Sequence, residues 1–287
     1  MRIALIGLGE VGRVLAEDLR TAGEDDLAAW DTAFADPDSR ASRNAAALDI
    51  APASSAAEAV QGAALVISAV TAANDLAAAG AAATGLAANA WFLDLNSASP
   101  GQKQASAKAV EAAGGRYVEA SVMSPIEPKR IAAPMLLGGP HARAFAGVAG
   151  ALGFSGAAFC SEELGKASAT KLCRSVMIKG VEALLTESML AARAWGVEEP
   201  VLRSLSNLLP SDDWEKLATY MISRSLEHGT RRAEEMREAA RTVEETGIAP
   251  LMAAATAERQ AWAAQFGEAR DAGSVAAMID AIRAQLR

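Results

Sequence analysis

The chain opens with a short apolar run, Ile3-Ala-Leu-Ile6, that leads directly into Gly7-Leu-Gly-Glu-Val-Gly12. This is the spacing G-x-G-x-x-G between a strand and a helix. It constrains the fold more than any other feature of the sequence, because each glycine answers a separate steric demand. The first allows a tight turn, the second lets backbone approach a pyrophosphate, and the third lets the following helix pack against its strand with its free N–H groups facing the anion. Residues 13–22 read as that helix, stopped at Gly23. The expected pyrophosphate contacts are therefore Gly7, Leu8, Gly9, Glu10, Val11 and Gly12. Asp31 closes a second strand, 27–30, at the distance where such turns place an acid for the adenosine ribose hydroxyls. An acid there repels a 2′-phosphate and favours NAD; Arg40 and Arg43 in the next loop leave NADP open.

Other properties of the chain narrow the class. Of its 287 residues 51% are hydrophobic and 22% charged, enough for a substantial core and two domains. A net charge of -8 excludes general nucleic-acid binding, which needs clustered Lys and Arg. Cys160 and Cys173 are too few for a disulfide framework, and the start lacks a signal peptide's apolar run, so a cytoplasmic enzyme is expected. The stretch 65–93 carries a single charge, Asp75, but its Gly, Asn and Thr residues favour a strand–helix–strand unit over a membrane span.

Short apolar runs at 65–70, 91–95, 116–119 and 135–137 alternate with alanine-rich helical stretches, the pattern of a parallel, doubly wound α/β Rossmann sheet. Beyond about Phe159 strand signals stop. Helices are expected at 165–195, 199–209, 212–227, 231–246, 250–266 and 275–286, punctuated by Gly229, Gly247 and Gly267. The expected division is a nucleotide-binding domain, 1–163, and an all-α substrate and dimerisation domain, 164–287. Strand ends in such sheets bind ligands. Val70 and Thr71 then pass near the nicotinamide ribose, Asn96 and Ser97 lie near nicotinamide and substrate, and Ser121, Met123 and Ser124 face the substrate side. The plainer reading of each serine is a turn or cap.

Three motifs in this order resemble the β-hydroxyacid dehydrogenase superfamily, which includes the 3-hydroxyisobutyrate and 6-phosphogluconate dehydrogenases. Gly7-Leu-Gly-Glu-Val-Gly12 is similar to the family's G-L-G-x-M-G. Asp94-Leu-Asn-Ser-Ala-Ser-Pro100 resembles D-x-S-T-x-x-P, with Gly115-Arg-Tyr-Val-Glu-Ala-Ser-Val-Met-Ser-Pro125 in place of G-x-x-x-x-D-A-P-V-S-G-G. Gly165-Lys-Ala-Ser-Ala-Thr-Lys171 resembles G-x-G-x-x-x-K, with Ala167 for the second glycine. The resemblance implies a nicotinamide-dependent oxidoreductase whose helical domain pairs two subunits, and it puts Lys171 on the catalytic lysine. Alcohol oxidation needs a base within reach of the hydroxyl, and a partly buried lysine can serve. Spacing alone leaves Lys166 and Lys179 as rivals.

Departures from the family matter too. Its asparagines three and four residues after the lysine are here Arg174 and Ser175, and S-G-G is Met123-Ser124-Pro125. Arg174 can anchor a carboxylate; its plainer reading is a solvated arginine. Where phosphogluconate dehydrogenases carry an enol-protonating glutamate this chain has Ile178, so decarboxylation is not expected unless Glu182 substitutes. This pattern resembles the branch with a phosphogluconate-dehydrogenase-like carboxy-terminal domain. By the same resemblance His228 and Arg231 or Arg232 can complete a partner's site, against a plainer reading in which Thr230 caps a helix. No metal site is expected, since no histidine or cysteine pair has ligand spacing. Trp195, Trp214 and Trp262 read as core or dimer interface. The leading function is NAD(P)-dependent interconversion of alcohol and carbonyl on a small or medium organic acid or aromatic compound. The alternative is a carbon–carbon lyase, with retro-aldol loss of a one-carbon unit; a non-catalytic nucleotide sensor is the third class.

Overall fold

The computed structural model describes residues 1–205 and 213–286. Residues 1–171 and 172–287 form two compact units. The first contains β1 (Ile3–Ile6), α1 (Glu10–Thr21), β2 (Leu27–Trp30), α2 (Arg40–Ala47), α3 (Ala56–Ala59), β3 (Leu65–Ser68), α4 (Asp75–Ala83), β4 (Trp91–Asp94), α5 (Pro100–Ala112), β5 (Arg116–Val122), β6 (Met135–Gly138), α6 (Ala142–Ala151) and β7 (Ala157–Ser161). The helix α7 (Lys166–Trp195) begins in this unit and continues into the second.

The strands form one sheet in the order β2-β1-β3-β4-β5-β6-β7. Pairings from β2 through β5 are parallel, as the βαβ pattern requires. Two features depart from expectation. The β6 strand runs antiparallel to β5, because the two are joined by a loop without a crossover helix. The seventh strand lies where strand signals seemed to have ended; Ala157-Ala-Phe-Cys-Ser161 is half-exposed at the sheet's edge and lacks the β-branched run that marks the inner strands. The order reverses between β1 and β3, so the crevice for a ligand opens at their carboxyl ends. Inner strands β1, β3 and β4 are buried throughout, with apolar clusters on both faces.

The second unit is helical in its described residues: the rest of α7, α8 (Glu198–Leu205), α9 (Trp214–Glu244), α10 (Leu251–Ala263), a 3-10 stretch Ala264–Ala272 and α11 (Val275–Gln285). The expected helices 199–209 and 212–227 extend in part outside the described residues. The expected break at Gly229 does not occur. One helix runs from Trp214 to Glu244, capped by the Asp213 side chain, and Thr230 lies in its interior rather than at a start. Gly229 is there for closeness: a Cβ on it would lie 2.4 Å from the Gln260 carbonyl oxygen of α10. Gly247, with φ +81°, follows the end of α9, and Gly267 lies within the 3-10 stretch. Trp214 and Trp262 belong to or pack against this unit's core, whereas Trp195 is 84% exposed. Among the described residues no helix is long and apolar enough to cross a membrane.

Candidate active site

Steric contact sets the glycine turn. Gly7, at φ +96°, sits so close to the loop after β3 that a Cβ would lie 2.4 Å from the Ala69 carbonyl oxygen, and a Cβ on Gly12 would lie 2.1 Å from that of Gly7. Gly9 has nothing within 4 Å of the same point, and no side chain caps the start of α1. The first turn of α1 therefore presents its N–H groups to open space, which is what a dinucleotide pyrophosphate requires. Glu10 is exposed, Val11 half-buried and Leu8 buried. Asp31 closes the turn from β2, accepting from the Leu8 N–H at 2.8 Å and the Ala33 N–H at 2.9 Å. Asn44 of α2 holds it from the other side, donating to the Leu8 carbonyl at 2.8 Å. Sequence reading missed Asn44, since no pattern marks an asparagine that braces a loop 36 residues away. Arg43 donates to the Asp38 carbonyl; Arg40 is exposed.

Beside this turn the ends of β3 and β4 are tied by Asn96. Its side-chain oxygen accepts from the Val70 N–H at 2.7 Å, and its amide nitrogen donates to Asp75 Oδ1 at 2.7 Å and Ser68 Oγ at 3.0 Å. Asn96 is buried and all of its amide hydrogens are committed inside the protein, so it positions neighbours rather than offering its own amide. Behind it lies a buried polar cluster. The Lys103 ammonium pairs with Asp94 at 2.7 Å, both side chains fully buried, and the Tyr117 hydroxyl donates to Asp94 Oδ2 at 2.5 Å. The Ser106 hydroxyl donates to Asp75 Oδ2 at 3.0 Å. Burial, reinforced by the Asp94 carboxylate and opposed by Lys103, pushes the Asp75 carboxyl up to about 7. Burial, then Asp94, also drives the Tyr117 phenol well above its ordinary value, so it stays a donor.

The residue after Asn96 carries the chemistry outward. Ser97 Oγ and Lys171 Nζ are 2.6 Å apart, both half-buried. Lys171 reaches this place because the buried carboxylate of Glu119, on β5, accepts the Gly165 N–H at 2.7 Å and the Ser168 N–H at the start of α7. A carboxylate at a helix N-terminus satisfies orphan donors and favours the macrodipole. Glu119 thus sets the register of the helix turn that bears Lys171. Lys166 is exposed and paired with Glu163 at 3.3 Å, and Lys179 pairs with Glu235 at 2.7 Å, so neither rival shares this setting.

Thr71 is exposed and accepts from the Asn74 amide at 2.9 Å. Ser121 is buried in β5, opposite Leu136, and Met123 and Ser124 are half-buried on the loop that follows. That loop is fastened to α1 by Arg130, which donates to Glu17 at 2.7 Å and Asp18 at 2.8 Å, while Ile126 packs with Val14. Sequence reading assigned no role to Arg130.

The remaining expected residues lie in the helical unit. Arg174 is exposed and makes no ion pair or hydrogen bond among the described residues, whereas Ser175 is buried and receives a hydrogen bond from Lys179 at 3.1 Å. Glu182 is buried and paired with Arg232. That pairing removes Glu182 as a stand-in acid for Ile178 and commits Arg232 within its own subunit. His228 is half-buried beside Glu227 at 3.3 Å, and Arg231 is exposed. Among the described residues no cluster of His, Cys, Asp or Glu can hold a metal.

Residues 2–163 match the family model for the NAD binding domain of 6-phosphogluconate dehydrogenase, and residues 192–263 match a domain of unknown function (DUF1932). The chain belongs to the β-hydroxyacid dehydrogenase superfamily. Its NAD-binding domain is thus a family property, in keeping with the open turn at Gly9. No curated protein matches. A conserved hypothetical protein from Sinorhizobium meliloti is 37% identical, with TM-score 0.75, over 98% of this chain and 96% of that one. The conserved protein MTH1747, described as structurally similar to 3-hydroxyacid dehydrogenases, is 28% identical, with TM-score 0.71, over 93% and 99%. The 3-hydroxyisobutyrate dehydrogenase of Mycobacterium tuberculosis, 19% identical with TM-score 0.72 over 99% and 100%, shares the fold.

Proposed function

We propose that the protein is an NAD(P)-dependent oxidoreductase interconverting an alcohol and a carbonyl on a small or medium organic acid or aromatic substrate, with Lys171 as proton carrier. The observation that carries this reading is the 2.6 Å contact between Lys171 Nζ and Ser97 Oγ, next in sequence to the residue that ties down the nucleotide-side loop. Bound nicotinamide supplies hydride acceptance and return. The glycine turn and the start of α1 would hold the pyrophosphate, and Asp31, fixed by two backbone N–H groups, would meet the ribose hydroxyls and favour NAD. Neutral Lys171 takes the substrate hydroxyl proton, and its ammonium returns one to the carbonyl oxygen in the reverse direction; Ser97 orients the amine and shares the substrate oxygen. Arg174, exposed and unpaired among the described residues, has the chemistry to bind a carboxylate.

Exposed apolar side chains of the helical unit, Met177, Ile178, Leu184, Tyr220, Leu251 and Met252, support pairing into a homodimer, in which His228 and Arg231 can approach the partner's substrate. The test is a panel of hydroxyacids, sugar acids and aryl-propanoid alcohols with NAD or NADP, following nicotinamide absorbance and product mass together. Reduced cofactor with a product two hydrogens lighter is expected. A product that loses carbon without net reduction overturns this reading in favour of a lyase.

A further inference from the structure

We propose that Asp75 is a positioning residue whose ionisation sets how firmly Asn96 holds the ends of β3 and β4, and with them the Ser97 hydroxyl that meets Lys171. The chain of contacts is short. Asp75 Oδ1 accepts from the Asn96 amide at 2.7 Å, the Asn96 oxygen accepts from the Val70 N–H at 2.7 Å, and the next residue contacts Lys171 at 2.6 Å. An ionised carboxylate accepts the stronger hydrogen bond. It thereby fixes which way the Asn96 amide points, amino group to Asp75 and oxygen to Val70.

The surroundings make that ionisation switchable. Facing Asp75 are Asp94 and Asn96 from the end of β4, Lys103 and Ser106 from α5, and Tyr117 on β5, while Ser68 of β3 is bonded to Asn96 and Glu119 acts on Tyr117 from the same strand. On the helices packed against α4, Glu58 of α3 and Lys108 of α5 are exposed. Two buried carboxylates thus share one buried ammonium. A proton on Asp75 brings that trio to neutrality, and burial places the change near pH 7. A merely structural hydrogen bond would be served as well by a neutral asparagine at this position.

The test reads Lys171 itself. Competitive acetylation by acetic anhydride across pH 5.5–9, followed by peptide mass spectrometry, compares Lys171 with exposed Lys166 in the wild type, Asp75→Asn and Ser106→Ala. The expected wild-type profile has a step of about threefold near pH 7 on top of the lysine's own titration, the size of a modest change in the one hydrogen bond that Ser97 makes to the amine. Asp75→Asn abolishes the step, and Ser106→Ala, by removing a donor to the carboxylate, moves it to higher pH. An unchanged profile in Asp75→Asn overturns the proposal; if that variant does not fold, an unmoved step in Ser106→Ala does so. Only the consequence for cofactor rests on the proposed function. NADH affinity should show the same step in the wild type and not in Asp75→Asn, and a wild type that binds neither NADH nor NADPH refutes the proposed function while the labelling still decides the role of Asp75.

Discussion

At the carboxyl edge of the sheet the buried charges Asp75, Asp94 and Lys103 lead outward: their hydrogen bonds end on Asn96, which holds the Val70 N–H and immediately precedes Ser97. In the helical unit the buried charges Glu182 and Arg232 pair with each other, tying α7 to α9, with Glu235 near enough to act on the same guanidinium. Both clusters carry a desolvation cost, so burial of charge alone does not mark a site. What marks one is whether the network terminates on groups that face open space. Glycine plays two opposite parts. Gly9 leaves a space with nothing within 4 Å, whereas Gly229, like Gly7 and Gly12, sits where another backbone carbonyl occupies the place of its Cβ.

The sharpest way to break this contrast is to open the helical pair. Glu182→Ala or Arg232→Ala strands a buried charge and should lower stability by about 3–5 kcal/mol in urea unfolding, whereas Glu182→Leu with Arg232→Leu should recover most of it. If the single variants unfold like the wild type, the pair is not structural. Next, Gly229→Val forces α9 from α10 and should cost about 3 kcal/mol, leaving NADH affinity of the folded protein unchanged. Gly9→Val should do the reverse: nearly normal melting, with NADH affinity down about tenfold or more, roughly 1.4 kcal/mol.

A further effect concerns pH. Asp75 rises from its ordinary 3.8 to about 7, so between those values the folded chain holds a proton that the unfolded chain has released. Stability from this group therefore falls as pH climbs from about 4 to 7 and stays lower above. Asp75→Asn, which mimics the protonated form, should gain about 2–3 kcal/mol over the wild type at pH 8 relative to pH 5 in paired denaturant titrations. A difference that does not vary with pH removes the charge argument.

Much of this was legible in the residues. Gly7 and Gly12 marked the turn because close backbone approach leaves no room there for a Cβ, and the inner strands declared themselves by apolar runs buried on both faces. The edge strand at 157–161 was illegible for the opposite reason: its small, half-exposed residues carry no period. Gly229 was read as punctuation because sequence cannot show a second helix crossing at that point. The bracing residues Asn44, Glu119 and Arg130 act across long sequence separations, which no spacing rule encodes. Asp75 did leave a signal, as the lone charge in 65–93. Its meaning required seeing that Lys103 and Asn96 converge on the same buried space.

The most direct test of the central claim is to measure Lys171→Met for two quantities at once, substrate-dependent nicotinamide turnover and NADH affinity. The account predicts turnover reduced by about a thousandfold, the scale of a lost general base, with NADH affinity within about twofold of the wild type. Retained turnover would contradict it and remove Lys171 from the chemistry.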